Sequence, residues 1–260
     1  MNTPGNHIQT SHGLMKTDAC DLRLTVDGKT VCVPYDRQQE IVQQTKHGDV
    51  SWQVFKIMAE FVDGFEFLEN YSKAVSIFGS ARTGFDDRIY KECTELAYEL
   101  AKMDFAIFTG GGPGIMEAAN KGAREAGGQS IGININLPGH KGMTERANPY
   151  ITESESFNYF FVRKLILSFS SQIYIFFPGG FGTLDELFEM LTLVQTEKTT
   201  KLPIILVGKK FWTPLDSWIK EYLYEKNHAI AKEDMDIYTI VDSAEEALEH
   251  LQNCLQREDQ

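Results

Sequence analysis

The chain reads as an α/β protein, a Rossmann-like, doubly wound parallel sheet preceded by an N-terminal hairpin and a helical extension. Two features of the sequence predict this. From Lys73 onward, short β-rich apolar runs alternate with stretches whose apolar residues fall three and four apart. That alternation is the signature of a parallel sheet with helices on its faces. Glycine clusters stand where strands would hand over to helices.

Residues 1–20 show no periodicity and are expected to form a loose tail. Leu22, Leu24 and Val26 alternate with polar residues up to Asp27-Gly28, after which Val31 and Val33 resume, the pattern of a hairpin closed by a tight turn. Trp52, Phe55, Ile57, Met58, Phe61, Val62, Phe65 and Leu68 recur at helical spacing and predict a long amphipathic helix docked on the main domain. The expected division is 1–50 as tail and hairpin appendage and 51–260 as a single Rossmann-like domain. Strands are expected at Ala74–Phe78, Phe105–Thr109, Ser130–Ile135, Gln172–Phe177, Ile204–Val207 and Ile237–Val241. Helices are expected near 87–102, 114–126, 158–170, 183–197, 211–225 and 244–256, which makes six βα units. Gly139–Asn148 is the long polar connection within the domain.

Composition narrows the function. The 260 residues are 42% apolar and 24% charged, and 25 Lys and Arg against 37 Asp and Glu give a formal charge of −12. A polynucleotide-binding surface is disfavoured. A small anion is still allowed, because backbone amides and one or two cations can make a positive pocket in a negative molecule. Cys20, Cys32, Cys93 and Cys254 show no CxxC spacing, and the first twenty residues hold no signal-peptide core, so a reducing cytoplasm is the expected compartment. Apolar runs such as Ile173–Phe177 and Pro203–Val207 fall far short of the roughly 20 residues that span a bilayer, and no membrane partner is expected.

In doubly wound sheets ligands bind beyond the carboxyl ends of the strands. Three loops there carry unusual residues. Gly79-Ser80-Ala81-Arg82-Thr83-Gly84 combines small residues, a hydroxyl and a cation. Thr109-Gly110-Gly111-Gly112-Pro113-Gly114-Ile115-Met116-Glu117 opens a helix whose first amides and positive dipole end suit a phosphate or ribose. Neither a dinucleotide fingerprint nor a Walker loop fits, since G-x-G-x-x-G from Gly110 lands on Ile115 and Gly28-Lys29-Thr30 lacks its leading glycine at Arg23. The third loop, Pro178-Gly179-Gly180-Phe181-Gly182-Thr183-Leu184-Asp185-Glu186, could wrap an anion at a helix entrance with a hydroxyl from Thr183. Glu186 falls in the first turn, where the helix dipole is expected to hold it ionised; it must then point at a different part of the ligand from the phosphate. Between these loops Arg163 and Lys164 interrupt the otherwise apolar stretch Tyr159–Leu167, and a buried cation needs an anionic partner.

The glycine motifs 109–120 and 178–186 with Arg163-Lys164 between them resemble the Lonely Guy family, nucleoside 5′-monophosphate phosphoribohydrolases often labelled lysine decarboxylase-like, over about residues 50–245. The resemblance implies a homodimer with sites near the subunit interface and hydrolysis of the N-glycosidic bond of a purine or modified adenine nucleotide, giving free base and ribose 5-phosphate. It implies Arg163 and Glu186 as the catalytic pair. It further implies Gly179, Gly180, Gly182 and Thr183 as phosphate-holding residues, and Gly110, Gly111, Gly112, Gly114, Glu117, Ser80, Arg82 and Lys164 as the rest of the nucleotide pocket. No metal or cofactor is expected; His140 and the His250/Cys254 pair read as a loop side chain and a helix face. A non-catalytic carrier of a nucleotide or of molybdenum cofactor on the same fold is the alternative. Decarboxylation is the weaker third reading, since it needs a Schiff-base lysine for pyridoxal phosphate.

Overall fold

The computed structural model describes residues 22–26, 29–33, 49–82, 87–136 and 147–258. The 1–20 tail, the Asp27-Gly28 turn and most of the Gly139–Asn148 connection lie outside the described residues. The chain divides into two units, Met1–Phe55 and Lys56–Gln260. In the first, β1 (Leu22–Val26) pairs antiparallel with β2 (Lys29–Val33), Leu22 facing Val33 and Val26 facing Lys29. Helix α1 spans Asp49–Leu68.

The second unit is an α/β sandwich. Its elements run β3 (Ala74–Phe78), α2 (Asp87–Lys102), β4 (Ala106–Thr109), α3 (Ile115–Glu125), β5 (Ser130–Ile135), β6 (Glu153–Phe157), α4 (Phe160–Ser168), β7 (Ile173–Phe176) and α5 (Phe181–Gln195). They continue with β8 (Ile204–Val207), α6 (Lys209–Trp218), a π-helical stretch Ile219–Lys226, a 3₁₀ turn Glu233–Asp236, β9 (Thr239–Val241) and α7 (Ala244–Glu258). Seven parallel strands lie in the order β6-β5-β4-β3-β7-β8-β9. The chain builds outward from β3 to β6, then returns to the other side of β3 for β7. The strand order therefore reverses between β3 and β7, which places a crevice beyond their carboxyl ends.

The strand run is one longer than the six expected. Strand β6 reads Glu-Ser-Glu-Ser-Phe, and its first four residues are exposed or half-buried, so an edge strand with polar side chains gives no apolar signal. The expected helix 211–225 is instead α6 followed by a π-helical continuation, with Pro214 inside α6. The last strand starts at Thr239, two residues later than expected, because the chain before it is taken into the 3₁₀ turn.

Period-2 alternation sends the strand residues to two cores. Val75, Ile77, Ile107, Ile173, Ile175, Ile205 and Val207 face α2, α3 and α7. Ala74, Phe78, Phe108, Tyr174, Phe176 and Leu206 face the other layer with Val162 and Ile166 of α4, Leu187 and Met190 of α5 and Trp212 of α6. Ile57, Phe61 and Leu68 of α1 pack against that second core. Among the described residues no helix is long and apolar enough to cross a membrane.

Helices α2 and α3 approach closely at Gly122, where an added Cβ would run into the Thr94 carbonyl and lie 2.9 Å from the Tyr98 amide nitrogen. Gly122→Ala gains about 1 kcal/mol of helix propensity. Overpacking against backbone costs about 1–3 kcal/mol. The substitution is expected to lower the urea midpoint at an unchanged m-value; an equal or higher midpoint would show that the two helices separate without cost.

Candidate active site

The loop after β3 and the loop after β7 meet at the crevice. Phe177 N–H donates to Phe78 O at 2.8 Å, and Ser80 N–H donates to Pro178 O at 3.1 Å. Ser80 is buried, and its hydroxyl accepts from Arg82 N–H at 3.2 Å. Its carbonyl takes the first amide of α3, Ile115 N–H, at 2.9 Å. Gly114, at φ 73°, lets α3 start there, since a side chain would strike Ser80 O. The leading amide of α3 is thus consumed inside the protein, where the sequence suggested it was free for a ligand.

The Gly110–Gly114 loop is held from behind. Gly111 N–H donates to Thr109 Oγ1 at 2.9 Å, and Asn148 Nδ2 donates to Gly112 O at 3.0 Å and to Asn120 Oδ1 at 2.9 Å. Thr109 Oγ1 donates to the same Asn120 oxygen at 2.7 Å, and Asn120 Nδ2 donates to Ser130 Oγ at 2.9 Å. Thr109, Asn120, Ser130 and Asn148 are all buried, so this satisfied network fixes the loop.

Arg163 sits in the first turn of the nine-residue α4. Its Nε donates to Ile133 O at 2.9 Å, its Nη2 to Gly110 O at 3.4 Å, and its guanidinium lies 5.6 Å from the Phe160 ring. A Cβ at position 110 would collide with that guanidinium, so Gly110 is the residue that admits it. Lys164 turns to α5, with Nζ 2.6 Å from Asp185 Oδ2 and 3.0 Å from Glu189 Oε2.

Helix α5 begins without a side-chain cap after Gly180, so its first amides have no partner of that kind. A Cβ at Gly180 or at Gly182 would meet nothing within 4 Å. Among the described residues nothing demands glycine at these two positions; a bare backbone there suits close approach by a ligand. Burial pushes the Glu186 carboxyl up to about 7, with Lys164 and Arg163 pulling it down and Asp185 adding to the rise. The expectation that Glu186 falls in the first turn, where the helix dipole would hold it ionised, is corrected: α5 starts at Phe181, so Glu186 lies in its second turn, and burial raises its carboxyl.

A cavity of about 420 Å³ lies over these loops. Of the residues singled out in the sequence, Ser80, Arg82, Gly110, Arg163, Gly180, Gly182, Thr183 and Glu186 line it. Gly111, Gly112, Gly114, Gly179, Glu117 and Lys164 do not. The first three carry the loop's backbone. Gly179 is packed against Thr183 and Gly79, and Glu117 accepts from Tyr90 OH at 3.3 Å on the α2 side. Lys164 is occupied by Asp185 and Glu189. Gly79, Ala81, Met116 and Asp185, from the three loops the sequence pointed to, also line the cavity, as do Phe78, Ile135, Phe160 and Leu167, which the sequence reading missed. Phe160, Arg163 and Leu167 lie at i, i+3 and i+7, so extending the Arg163 stripe by helical spacing would have found two of them. Among the described residues no group of three or more His, Cys, Asp or Glu side chains is placed to hold a metal ion.

A profile of the family described as "Possible lysine decarboxylase" matches residues 116–251, more than half of the 260 residues. Cytokinin riboside 5′-monophosphate phosphoribohydrolase LOG5 of Arabidopsis thaliana is 30% identical over 132 residues, 50% of this chain. The chain spans 56% of that relative's length. The cytokinin riboside 5′-monophosphate phosphoribohydrolase of Rhodococcoides fascians is 25% identical over 155 residues, 59% of this chain and 77% of that protein. Among solved structures, the crystal structure of TM1055 aligns with a TM-score of 0.50 at 25% identity, covering 70% of this chain and 99% of that one. The molybdenum cofactor carrier protein of Chlamydomonas reinhardtii aligns with a TM-score of 0.54 at 20% identity over 71% of this chain and 98% of that one, a likeness of fold alone. The profile match, together with these relatives, establishes that the chain belongs to the Lonely Guy family, the one described as "Possible lysine decarboxylase".

Proposed function

We propose that the protein hydrolyses the N-glycosidic bond of purine nucleoside 5′-monophosphates, AMP-like or with a modified adenine, to free base and ribose 5-phosphate. The observation that carries this reading is the joint presence of Arg163 and Glu186 in one cavity with the open amides of α5. The names of the relatives point the same way. The phosphate binds at Gly180, Gly182 and Thr183, where helix amides and a hydroxyl converge. Phe78, Met116, Ile135, Phe160 and Leu167 give the cavity an apolar wall suited to a base.

As the bond from C1′ to the base nitrogen breaks, its electron pair leaves with the base and positive charge grows on the ribose. Ionised Glu186 stabilises that oxocarbenium-like state and orients the water whose oxygen bonds to C1′. One water proton passes to the departing base, and the hydroxyl stays on the sugar. Arg163, fixed on two carbonyls, anchors phosphate or ribose oxygens or offsets charge on the leaving base. The family's descriptive name implies pyridoxal phosphate chemistry, but no lysine lines the cavity among the described residues, and no step is derived through that group.

With AMP as substrate and adenine followed by chromatography, Glu186→Ala is expected to lower kcat by about 10²- to 10⁴-fold. Arg163→Ala is expected to lower kcat/KM on the order of 10- to 100-fold, matching a charge-assisted hydrogen bond. No base release from AMP, GMP or IMP by the wild type would overturn the reading. Tight nucleotide or pterin binding without turnover, surviving both substitutions, would establish a carrier instead.

Glu186 must be ionised to act, and its carboxyl titrates at about 7, so kcat/KM is expected to rise with pH through that value. Stability runs the opposite way. A carboxyl raised above its unfolded value holds its proton more tightly when folded, so stability is lost as pH climbs from the ordinary carboxylate range to about 7. Glu186→Gln removes that loss. It is expected to stabilise the protein at pH 8 by up to about 3 kcal/mol and to have little effect at pH 4. Equal effects at both pH values in thermal melts would show that Glu186 is not desolvated.

The reading includes a homodimer. Val62 is 54% exposed, Phe161 54% and Phe181 92%, large apolar side chains that a second copy would cover. Light scattering is expected to give twice the chain mass, and Phe161→Glu to give a single chain. A single-chain mass for the wild type would remove this part of the proposal.

A further inference from the structure

The turn entering α4 is held by a carboxylate 98 residues earlier in the chain. Asn158 N–H donates to both oxygens of Glu60 at 3.1 Å, Asn158 Nδ2 donates to Oε1 at 2.7 Å, and Tyr159 N–H donates to Oε2 at 3.3 Å. Tyr159 is the N-cap of α4 and makes no side-chain capping bond of its own. Glu60 thus accepts the two main-chain amides that lead into α4 and brings a negative charge from α1 to the helix start. Asn158 also accepts from Asn136 Nδ2 at 3.1 Å, and Asn136 N–H donates to Phe157 O at 2.8 Å, which ties the same turn to the end of β5.

This anchoring bears on the cavity because α4 is short. A nine-residue helix has little stability of its own, and fraying begins in its first turn, where Phe160 and Arg163 sit. Glu60 lies outside the cavity lining. Around it α1 is seated tightly on α4: a Cβ at Gly64 would lie 2.7 Å from Ile166 Cδ1, and the rings of Phe61 and Phe161 are 6.5 Å apart. We propose that Glu60 is a positioning residue that fixes the entry of α4, and through it sets where the Arg163 guanidinium and the Phe160 ring stand in the cavity. Its kinetic consequence rests on the hydrolase reading; its structural consequence does not.

The test compares wild type, Glu60→Ala and Glu60→Gln by amide hydrogen exchange and by AMP hydrolysis, with Arg163→Lys as a second background. Exchange at 158–163 is expected to speed up about tenfold or more in Glu60→Ala, with α5 unchanged, and to be intermediate in Glu60→Gln, which keeps one oxygen acceptor. kcat/KM is expected to fall about tenfold in the wild-type background and far less in Arg163→Lys, because the two residues act as one unit. Equal losses in both backgrounds, or unchanged exchange at 158–163, would overturn the proposal by showing that Glu60 only docks α1. Should wild type not cleave AMP, the hydrolase reading falls and the exchange measurement alone decides. If Glu60→Ala does not fold, Glu60→Gln carries both measurements.

Discussion

A guanidinium resting on two main-chain carbonyls is the constraint to which much of the cavity answers. Taking an arginine out of water costs several kcal/mol unless its donors find acceptors. Here Ile133 O and Gly110 O provide them, one within β5 and one in the loop after β4. Position 110 then has no room for a side chain. The loop's carbonyls must also hold still, which the buried Thr109, Asn120, Ser130 and Asn148 network ensures from behind. Several polar residues with no place in the cavity thus serve the position of one cation.

The same cation enters the balance at Glu186. Burial raises the carboxyl, Lys164 and Arg163 lower it, and the two tendencies leave it near neutrality. On the hydrolase reading that balance has a use. A carboxylate that is poorly solvated gains little from a neutral sugar and much from one acquiring positive charge, so its interaction grows toward the transition state. Lys164 contributes without entering the cavity: bound by Asp185 and Glu189, it holds α5 against α4 and adds positive potential at Glu186.

What the sequence disclosed follows from the range of the interactions. Short runs rich in Ile, Val and Phe between helical stretches mark buried strands, so β3, β4, β5, β7 and β8 were legible to within a residue or so, whereas the polar edge strand β6 left no such mark. The glycine loops after β4 and β7 could be located because turn chemistry is local. The protonation of Glu186 could not, since the helix dipole is visible in sequence and desolvation by distant side chains is not. Glu60 was equally hidden: its partners at Asn158 and Tyr159 stand almost a hundred positions away, and an acidic residue on an amphipathic helix ordinarily faces water.

Glycine itself carries two meanings in these motifs, and only the structure separates them. At 110, 114 and 179 an added Cβ would strike Arg163, Ser80 or Thr183, so the protein's own packing forbids a side chain. At 180 and 182 the same atom would stand in open space at the uncapped start of α5. Among the described residues packing gives no reason for glycine at those two positions; on the hydrolase reading the bare backbone lets the phosphate come close. Such a site adds no formal charge to a chain of net charge −12. On the hydrolase reading it receives the phosphate on helix amides, with Arg163 and Arg82 as the cations in the cavity lining.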